Sequence, residues 1–322
     1  MTRAALAAFA LLLACAGCRS PSPFERQVRE MEPTIRDGVA ALRGVRPEAP
    51  ITLVPHRWSL PDPPGIASLN GRPTSIGSCA LDRARYAGER GLLVVAEGER
   101  ILEPAHLAGV LAHAFSHELQ ARRGAAGLGE GDRAWVRWVL LEGEAILMQL
   151  AVDPRPEQPV FRHDWKTPSR DAGLAYVLEQ FGRGGWPAVE AVVDSPPRTS
   201  AELLFGTHRW NEPPPLEGHS LAGASVLPVG AIAAIGPLGD TEWGHGIVRP
   251  ALGATSVLYP SEASPFVAAL VLRYPTPKAA EEVAARALMA RVERVGACLV
   301  FDVHRSIPDA EWSALLRAVG ER

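Results

Sequence analysis

The chain has 322 residues, carries a formal net charge of −3 at pH 7, and is 47% hydrophobic and 21% charged. Its basic residues are scattered along the sequence, so it lacks the concentrated positive charge that binding to nucleic acid requires. Beyond residue 18 there remain about 300 residues, enough for one large domain or two smaller ones.

The N-terminus has the pattern of an export signal. A charged start at residues 1–3 is followed by an apolar run at 4–14 that is too short to span a bilayer. Residues 12–15, Leu-Leu-Ala-Cys, resemble the bacterial lipobox, in which the cysteine is lipidated. We therefore predict a lipoprotein signal over 1–18, with Cys15 as the lipidation site and Cys18 as the alternative. An ordinary cleaved signal is the competing interpretation.

Two cysteines lie beyond this signal, Cys79 and Cys298. Two cysteines in an exported protein can form a disulfide. Sequence alone cannot place the two thiols near each other. We predict a disulfide between Cys79 and Cys298, and two separate buried thiols are the alternative.

The first predicted elements are a helix, a strand and a hairpin. Ser22 is a capping residue with Pro23 at the first helical position, and an apolar stripe follows until Gly44, so this segment is predicted to be helical. The short apolar run at 51–54 predicts a strand. Residues 85–96 predict a hairpin whose second strand is strongly apolar.

Three helices are predicted next along the chain. The first covers about 104–123, and residues 124–131 contain four glycines, which predicts a flexible connection. The second covers about 132–152 and is apolar on nearly every face, so it belongs in a core. The third is predicted at about 171–181.

A proline-rich stretch precedes the last third of the chain. Residues 211–218 read Asn-Glu-Pro-Pro-Pro-Leu-Glu-Gly, which predicts a linker. Residues 219–322 are predicted to form a small α/β unit. Its elements, in the order strand, helix, strand, helix, are predicted at 266–274, 278–295, 297–304 and 309–319.

His113 and His117 carry the strongest chemical signal in the sequence. Residues four apart on a helix lie on one face, about 6 Å apart along the axis, so two imidazoles can grip one metal ion. In the motif His-Glu-x-x-His, the glutamate is the general base that acts on the metal-bound water. Ala114 occupies that position here and can bind no proton.

The next helix supplies two glutamates, Glu142 and Glu144, among apolar neighbours. A buried carboxylate is costly unless it is paired or binds a metal. Zinc accepts nitrogen and oxygen ligands, and a catalytic site keeps three protein ligands plus water. Two histidines on one helix and a glutamate on the next meet that requirement. The alternative is a decayed site whose polar residues hydrogen-bond one another.

Two segments carry a family resemblance. Residues 110–120 read Val-Leu-Ala-His-Ala-Phe-Ser-His-Glu-Leu-Gln, and residues 141–145 read Leu-Glu-Gly-Glu-Ala. They resemble a family of bacterial gluzincin-type zinc metallopeptidase-like proteins, which read Val-Leu-Ala-His-Glu-Leu-Thr-His-Ala-Leu-Gln and then Glu-Gly-x-Ala. The similarity covers about residues 30–210 and includes the segments 171–177, 183–186 and 194–199.

The resemblance implies that His113, His117 and Glu142, rather than Glu144, are the zinc ligands. It also implies that the strand at 92–96 borders a cleft and can pair with a substrate backbone. Tyr176 lies in a matching segment, and we interpret it as a packed core residue.

Together these observations predict an α+β fold. It comprises a mainly helical, zincin-like domain with a small antiparallel sheet over 19–210, and a small C-terminal α/β unit beyond the linker. The predicted function is that of a zinc metallopeptidase-like lipoprotein, a metal-binding pseudo-peptidase without its general base. It would be anchored by lipid on the periplasmic or outer face of a membrane of the bacterial cell envelope, with a peptide or an envelope protein as its partner.

Two other functions remain open at this point. One is a slow metallopeptidase with an unorthodox base, and the other is a structural envelope lipoprotein without metal. If the cleft geometry of the family persists, Ala114→Glu should restore metal-dependent cleavage, because a general base contributes about 10²–10⁴-fold in rate.

Overall fold

The structure is a computed structural model of the chain. It describes residues 20–55, 84–87, 91–97, 103–124, 131–152, 168–206, 210, 216, 224–238, 242–259, 266–287, 291–303 and 307–320. The predicted signal and lipidation sites, Cys15 and Cys18, lie outside these residues, as do Cys79 and nearly all of the predicted linker at 211–218. In the described part of the chain, none of the helices is both long enough and apolar enough to cross a membrane.

The first helix, α1 (Pro23–Arg43), confirms its predicted boundaries. The Ser22 hydroxyl accepts a hydrogen bond from the Glu25 amide at 3.0 Å, which caps the helix start. Gly44 ends the helix in the left-handed region at φ 70°, where glycine is favoured. Both ends were predictable because capping depends on residues close together in sequence.

A three-stranded sheet follows, formed by β1 (Ile51–Pro55), β2 (Ala84–Ala87) and β3 (Leu92–Glu97) in the order β1-β3-β2. The predicted hairpin is confirmed, because β2 and β3 pair antiparallel. The sheet is nevertheless mixed rather than antiparallel throughout, since β1 pairs parallel to β3. Over 93–95, β3 pairs on both sides, so the expectation that this strand is free to bind a substrate backbone is wrong.

The centre of the chain is helical. The helices are α2 (Pro104–Arg122), α3 (Gly131–Val152), α4 (Pro168–Asp194) and α5 (Ser200–Phe205). The helix α4 is longer than predicted and is interrupted by two non-helical glycines, of which Gly185 has φ 63°. The helix α3 contacts both α2 and α4. One apolar cluster joins α1, the small sheet and α2, and a second joins α3, α4 and α5.

The last part of the chain contains a five-stranded antiparallel sheet with strand order β4-β5-β6-β8-β7. Alternate residues of its central strands belong to two different apolar clusters, so both faces of the sheet are covered. Its elements are β4 (Ser225–Val229), α6 (Ala231–Leu238), α7 (Glu242–Val248), β5 (Gly253–Tyr259), β6 (Phe266–Arg273), α8 (Pro277–Ala284), β7 (Val292–Val295), β8 (Cys298–Asp302) and α9 (Asp309–Gly320).

The predictions for this last part were incomplete. The α+β class is confirmed, and β6, β8 and α9 lie where strands and a helix were predicted. The single helix predicted at 278–295 is wrong, because α8 ends at Ala284 and residues 292–295 pair with β8 as a strand. The elements β4, β5, α6 and α7 were not predicted. Cys298 is buried in β8, and its predicted bond to Cys79 stays a prediction.

Candidate metal centre

Three side chains from two helices converge in the core. The Nε2 atoms of His113 and His117 on α2 are 3.2 Å apart. On α3, the carboxylate of Glu142 lies 3.5 Å from Nε2 of His117 and 3.8 Å from Nε2 of His113. Each of the three residues is at most 2% exposed. One ligand atom from each lies within 4.8 Å of the others, so the group can hold one metal ion.

A hydrogen bond fixes the orientation of the His117 ring. Nδ1 of His117 lies 2.8 Å from Oε1 of Gln120. The other amide atom, Nε2 of Gln120, donates to the carbonyl oxygen of Leu141 at 2.8 Å and to Oε2 of Glu144 at 2.9 Å. Since both of those partners can only accept, the amide orientation is determined. Oε1 therefore accepts from the Nδ1 proton, and in the neutral ring the Nε2 lone pair of His117 faces the centre.

Glu144 belongs to a different set of contacts. Its carboxylate pairs with Arg43 of α1 at 2.6 Å and with Arg123, just after α2, at 2.8 Å. The same two arginines pair with Glu190 of α4, at 2.7 and 3.2 Å. A fully buried carboxylate needs such partners. These contacts separate the roles of the two glutamates of α3, because Glu144 is engaged by cations and by Gln120, whereas the neighbouring glutamate faces the histidines.

Ala114 stands where the motif His-Glu-x-x-His has its glutamate, and its side chain is packed in the core. Ala114 is fully buried and belongs to the apolar cluster of α1, the small sheet and α2. Glu118, the nearest acidic residue in sequence, turns away from the histidines. Its Oε1 accepts hydrogen bonds from the backbone amides of Glu48 at 2.6 Å and Ala49 at 2.9 Å. Neither Glu118 nor Glu144 is therefore placed to replace the missing base.

Tyr176 and Trp186 of α4 are packing residues, as interpreted from the sequence for Tyr176. Tyr176 packs against the cluster of α3, α4 and α5, and burial, followed by the charges of Glu202 and Glu179, raises its pKa. The ring of Trp186 lies under the Arg43 guanidinium, 4.5 Å from the ring centroid. These contacts give neither residue a role among the candidate ligands.

Sequence reasoning missed the residues around the ligands. Gln120 lies three residues after His117 and so shares its helix face, a signal that was available in the sequence. Arg43 and Arg123 gave no comparable signal, because their contact with Glu144 depends on how α1 packs against α2 and α3.

Comparison of the chain with known protein families, with curated proteins and with solved structures finds no match. The resemblance of residues 110–120 and 141–145 to gluzincin-type proteins therefore stays a prediction.

Proposed function

We propose that this protein is a metal-binding pseudo-peptidase, in which His113, His117 and Glu142 hold one zinc ion without hydrolysing peptide bonds. The observation that carries the proposal is the convergence of two imidazoles and one carboxylate in a buried site. Zinc binds nitrogen and oxygen donors of this kind in tetrahedral sites. The hydrogen bond on Nδ1 of His117 favours the tautomer that a metal ligand needs.

Two features support a non-hydrolytic role. The first is the alanine at the base position, since losing a general base typically lowers a rate by about 10²–10⁴-fold. The second is burial, because a catalytic zinc keeps one position open to water and substrate. Ligands exposed by at most 2% offer little access to either.

The metal would instead act on stability. It would join α2 to α3 through side chains of both helices, and a metal that binds only the folded chain contributes its binding free energy to folding. We further propose that the chain is tethered at Cys15 to a membrane of the bacterial envelope, where it meets a peptide or an envelope protein. Support for the tether is the lipobox-like pattern at residues 12–15.

Metal analysis of the purified full chain tests the proposal. We expect about one zinc per chain for wild type and none for the His113→Ala/His117→Ala double variant. His106→Ala is the matched control, because His106 lies on the same helix outside the cluster and should leave the zinc content unchanged. Wild type that carries no more zinc than the double variant would favour a structural lipoprotein without metal.

A cleavage assay separates the proposal from the peptidase alternative. Zinc-loaded wild type is incubated with an unfolded protein and a peptide library, with and without a chelator. We expect no metal-dependent cleavage. Any background fragments should therefore be the same, and form at the same rate, with and without the chelator. Chelator-sensitive cleavage that the double variant lacks would instead establish a slow metallopeptidase.

A further inference from the structure

A continuous path of hydrogen bonds and ion pairs leads from the metal centre into the helical core. It runs from His117 to Gln120 at 2.8 Å and from Gln120 to Glu144 at 2.9 Å. From Glu144 it continues to Arg43 at 2.6 Å and to Arg123 at 2.8 Å. The path therefore connects a candidate ligand on α2 with α3 and with the last turn of α1.

The order of hydrogen-bond donors and acceptors along this path is fixed. Gln120 and Glu144 are both fully buried, so neither amide nor carboxylate can exchange its partners for bulk water. The NH₂ end of Gln120 donates to the carbonyl oxygen of Leu141 and to the carboxylate of Glu144, which two arginines contact. A carbonyl oxygen can only accept a hydrogen bond. An acceptor at that point holds the NH₂ end of Gln120, which leaves the amide oxygen facing His117. In the neutral imidazole this contact places the proton on Nδ1 and leaves a lone pair at Nε2.

We propose that Gln120 is the positioning residue of the metal centre, oriented by Glu144, and that it holds His117 in the metal-binding tautomer before any metal arrives. The expected consequence is tighter metal binding, and this consequence rests on the proposed function. Partners of this kind typically contribute about 10–100-fold to metal affinity.

The substitution Gln120→Met tests the consequence with little disturbance of packing. Methionine matches the length of glutamine, while its thioether is at most a weak acceptor. Glu144 keeps its two arginines in this variant, so no buried charge loses its counterion. We expect the zinc dissociation constant, measured by competition with a chromophoric chelator, to rise about 10–100-fold.

Gln149→Met is the matched control. Gln149 lies on α3, is 1% exposed, and its amide atoms have no hydrogen-bond partner within the described structure. The substitution removes a buried amide that orients no ligand, so zinc affinity should remain that of wild type. Equal affinities of Gln120→Met and wild type, with both folded, would overturn the proposal.

A second measurement examines the tautomer without metal. In the zinc-free wild type, the imidazole ¹⁵N signals of His117 should show a protonated Nδ1 and an unprotonated Nε2. In Gln120→Met the same ring should populate both tautomers, an effect that loss of packing alone would not produce. A wild-type His117 that is protonated at Nε2 would refute the positioning role, even if Gln120→Met fails to fold.

The two measurements also separate this inference from the proposed function. If wild type binds no zinc but His117 is protonated on Nδ1, the metal proposal fails while the orienting contact of Gln120 stands. If zinc binds but the tautomer does not depend on Gln120, the positioning role fails while the metal centre stands.

Discussion

Position 114 shows how burial changes an expectation drawn from a motif. The motif alone suggested that a glutamate at this position would restore cleavage. In the structure, the methyl group of Ala114 is fully buried in an apolar cluster that also contains Leu93 and Phe115. A longer, charged side chain would have to fit into this packed cluster and lose its hydration.

We expect Ala114→Glu to lower the free energy of unfolding of the zinc-free protein by roughly 3 kcal/mol, from overpacking and from the buried charge. Chemical denaturation measures the loss. Ala114→Ser is the control, because a small hydroxyl at this position can bond to the preceding turn of the helix and should cost less. A zinc-loaded Ala114→Glu variant that gains chelator-sensitive cleavage would show that the site is accessible after all.

The cluster of candidate ligands was predictable at the level of single residues. His113 and His117 share a face because of their spacing, and Glu142 stands in an apolar helix that must bury it. Local sequence could not reveal the environment of these ligands. Whether a carboxylate meets a histidine or an arginine depends on the packing of α1 against two other helices, as Glu144 shows.

At the scale of elements, the close crossing of α3 and α4 explains a glycine within α3. A Cβ atom placed on Gly143 would lie 2.5 Å from the carbonyl carbon of Gly173. Real side chains do not approach backbone this closely, so the two helices must move apart if either glycine is replaced. The crossing thus sets the position of α4 against the helix that carries Glu142.

We expect Gly143→Ala to lower the free energy of unfolding by about 1–3 kcal/mol or more, because the rigid backbone of α4 cannot yield as a side chain can. Gly182→Ala is the matched control on α4, where an added Cβ meets nothing within 4 Å. That substitution should be neutral or stabilising, by at most about 1 kcal/mol. Equal stability of the two variants in urea would argue against the close crossing.

The start of α3 is joined to α5 by a partly buried aspartate. Asp132 accepts a hydrogen bond from the Ser200 amide at 2.7 Å and a second from the Ser200 hydroxyl. Burial raises the pKa of Asp132, and the bonds from Ser200 only partly oppose the rise. When protonated, the carboxyl can donate to the hydroxyl and still accept from the amide, so both contacts survive.

The sign of the pH effect follows from the raised pKa. The contribution of Asp132 to stability is present below its unfolded pKa of about 3.9 and is lost as the pH rises through the folded pKa. Asp132→Asn mimics the protonated form, so its stability advantage over wild type should grow between pH 4 and pH 8. Denaturation in urea across this range measures the difference. A difference that stays constant across this range would contradict the raised pKa.

Some elements were predictable and others were not, for physical reasons. The ends of α1 depend on Ser22 and Gly44 themselves, which are local signals. The strand β7 lies within the single helix predicted at 278–295. In the structure, Gly296 turns the chain at φ 58° and the strand pairs with β8, a gain that outweighs helical propensity.

At the scale of the whole molecule, α5 connects the parts built around the two sheets. Leu203 belongs to the cluster of α3 and α4, whereas Ala201 belongs to the cluster on the five-stranded sheet. The neighbouring contact between Asp132 and Ser200 strengthens this link. We therefore expect that metal binding at the candidate centre also stabilises the C-terminal sheet against unfolding.

Zinc should stabilise the molecule as one unit. A ligand that binds only the folded state adds about 4 kcal/mol to the free energy of unfolding at a free concentration of about 1,000 times its dissociation constant. Calorimetry of the full chain should show a single transition that moves up by several degrees with zinc and returns with a chelator. The His113→Ala/His117→Ala variant should show no zinc-dependent shift. If zinc raises the unfolding temperature of only part of the heat-absorption peak, then the C-terminal sheet unfolds independently. In that case α5 does not couple the two parts.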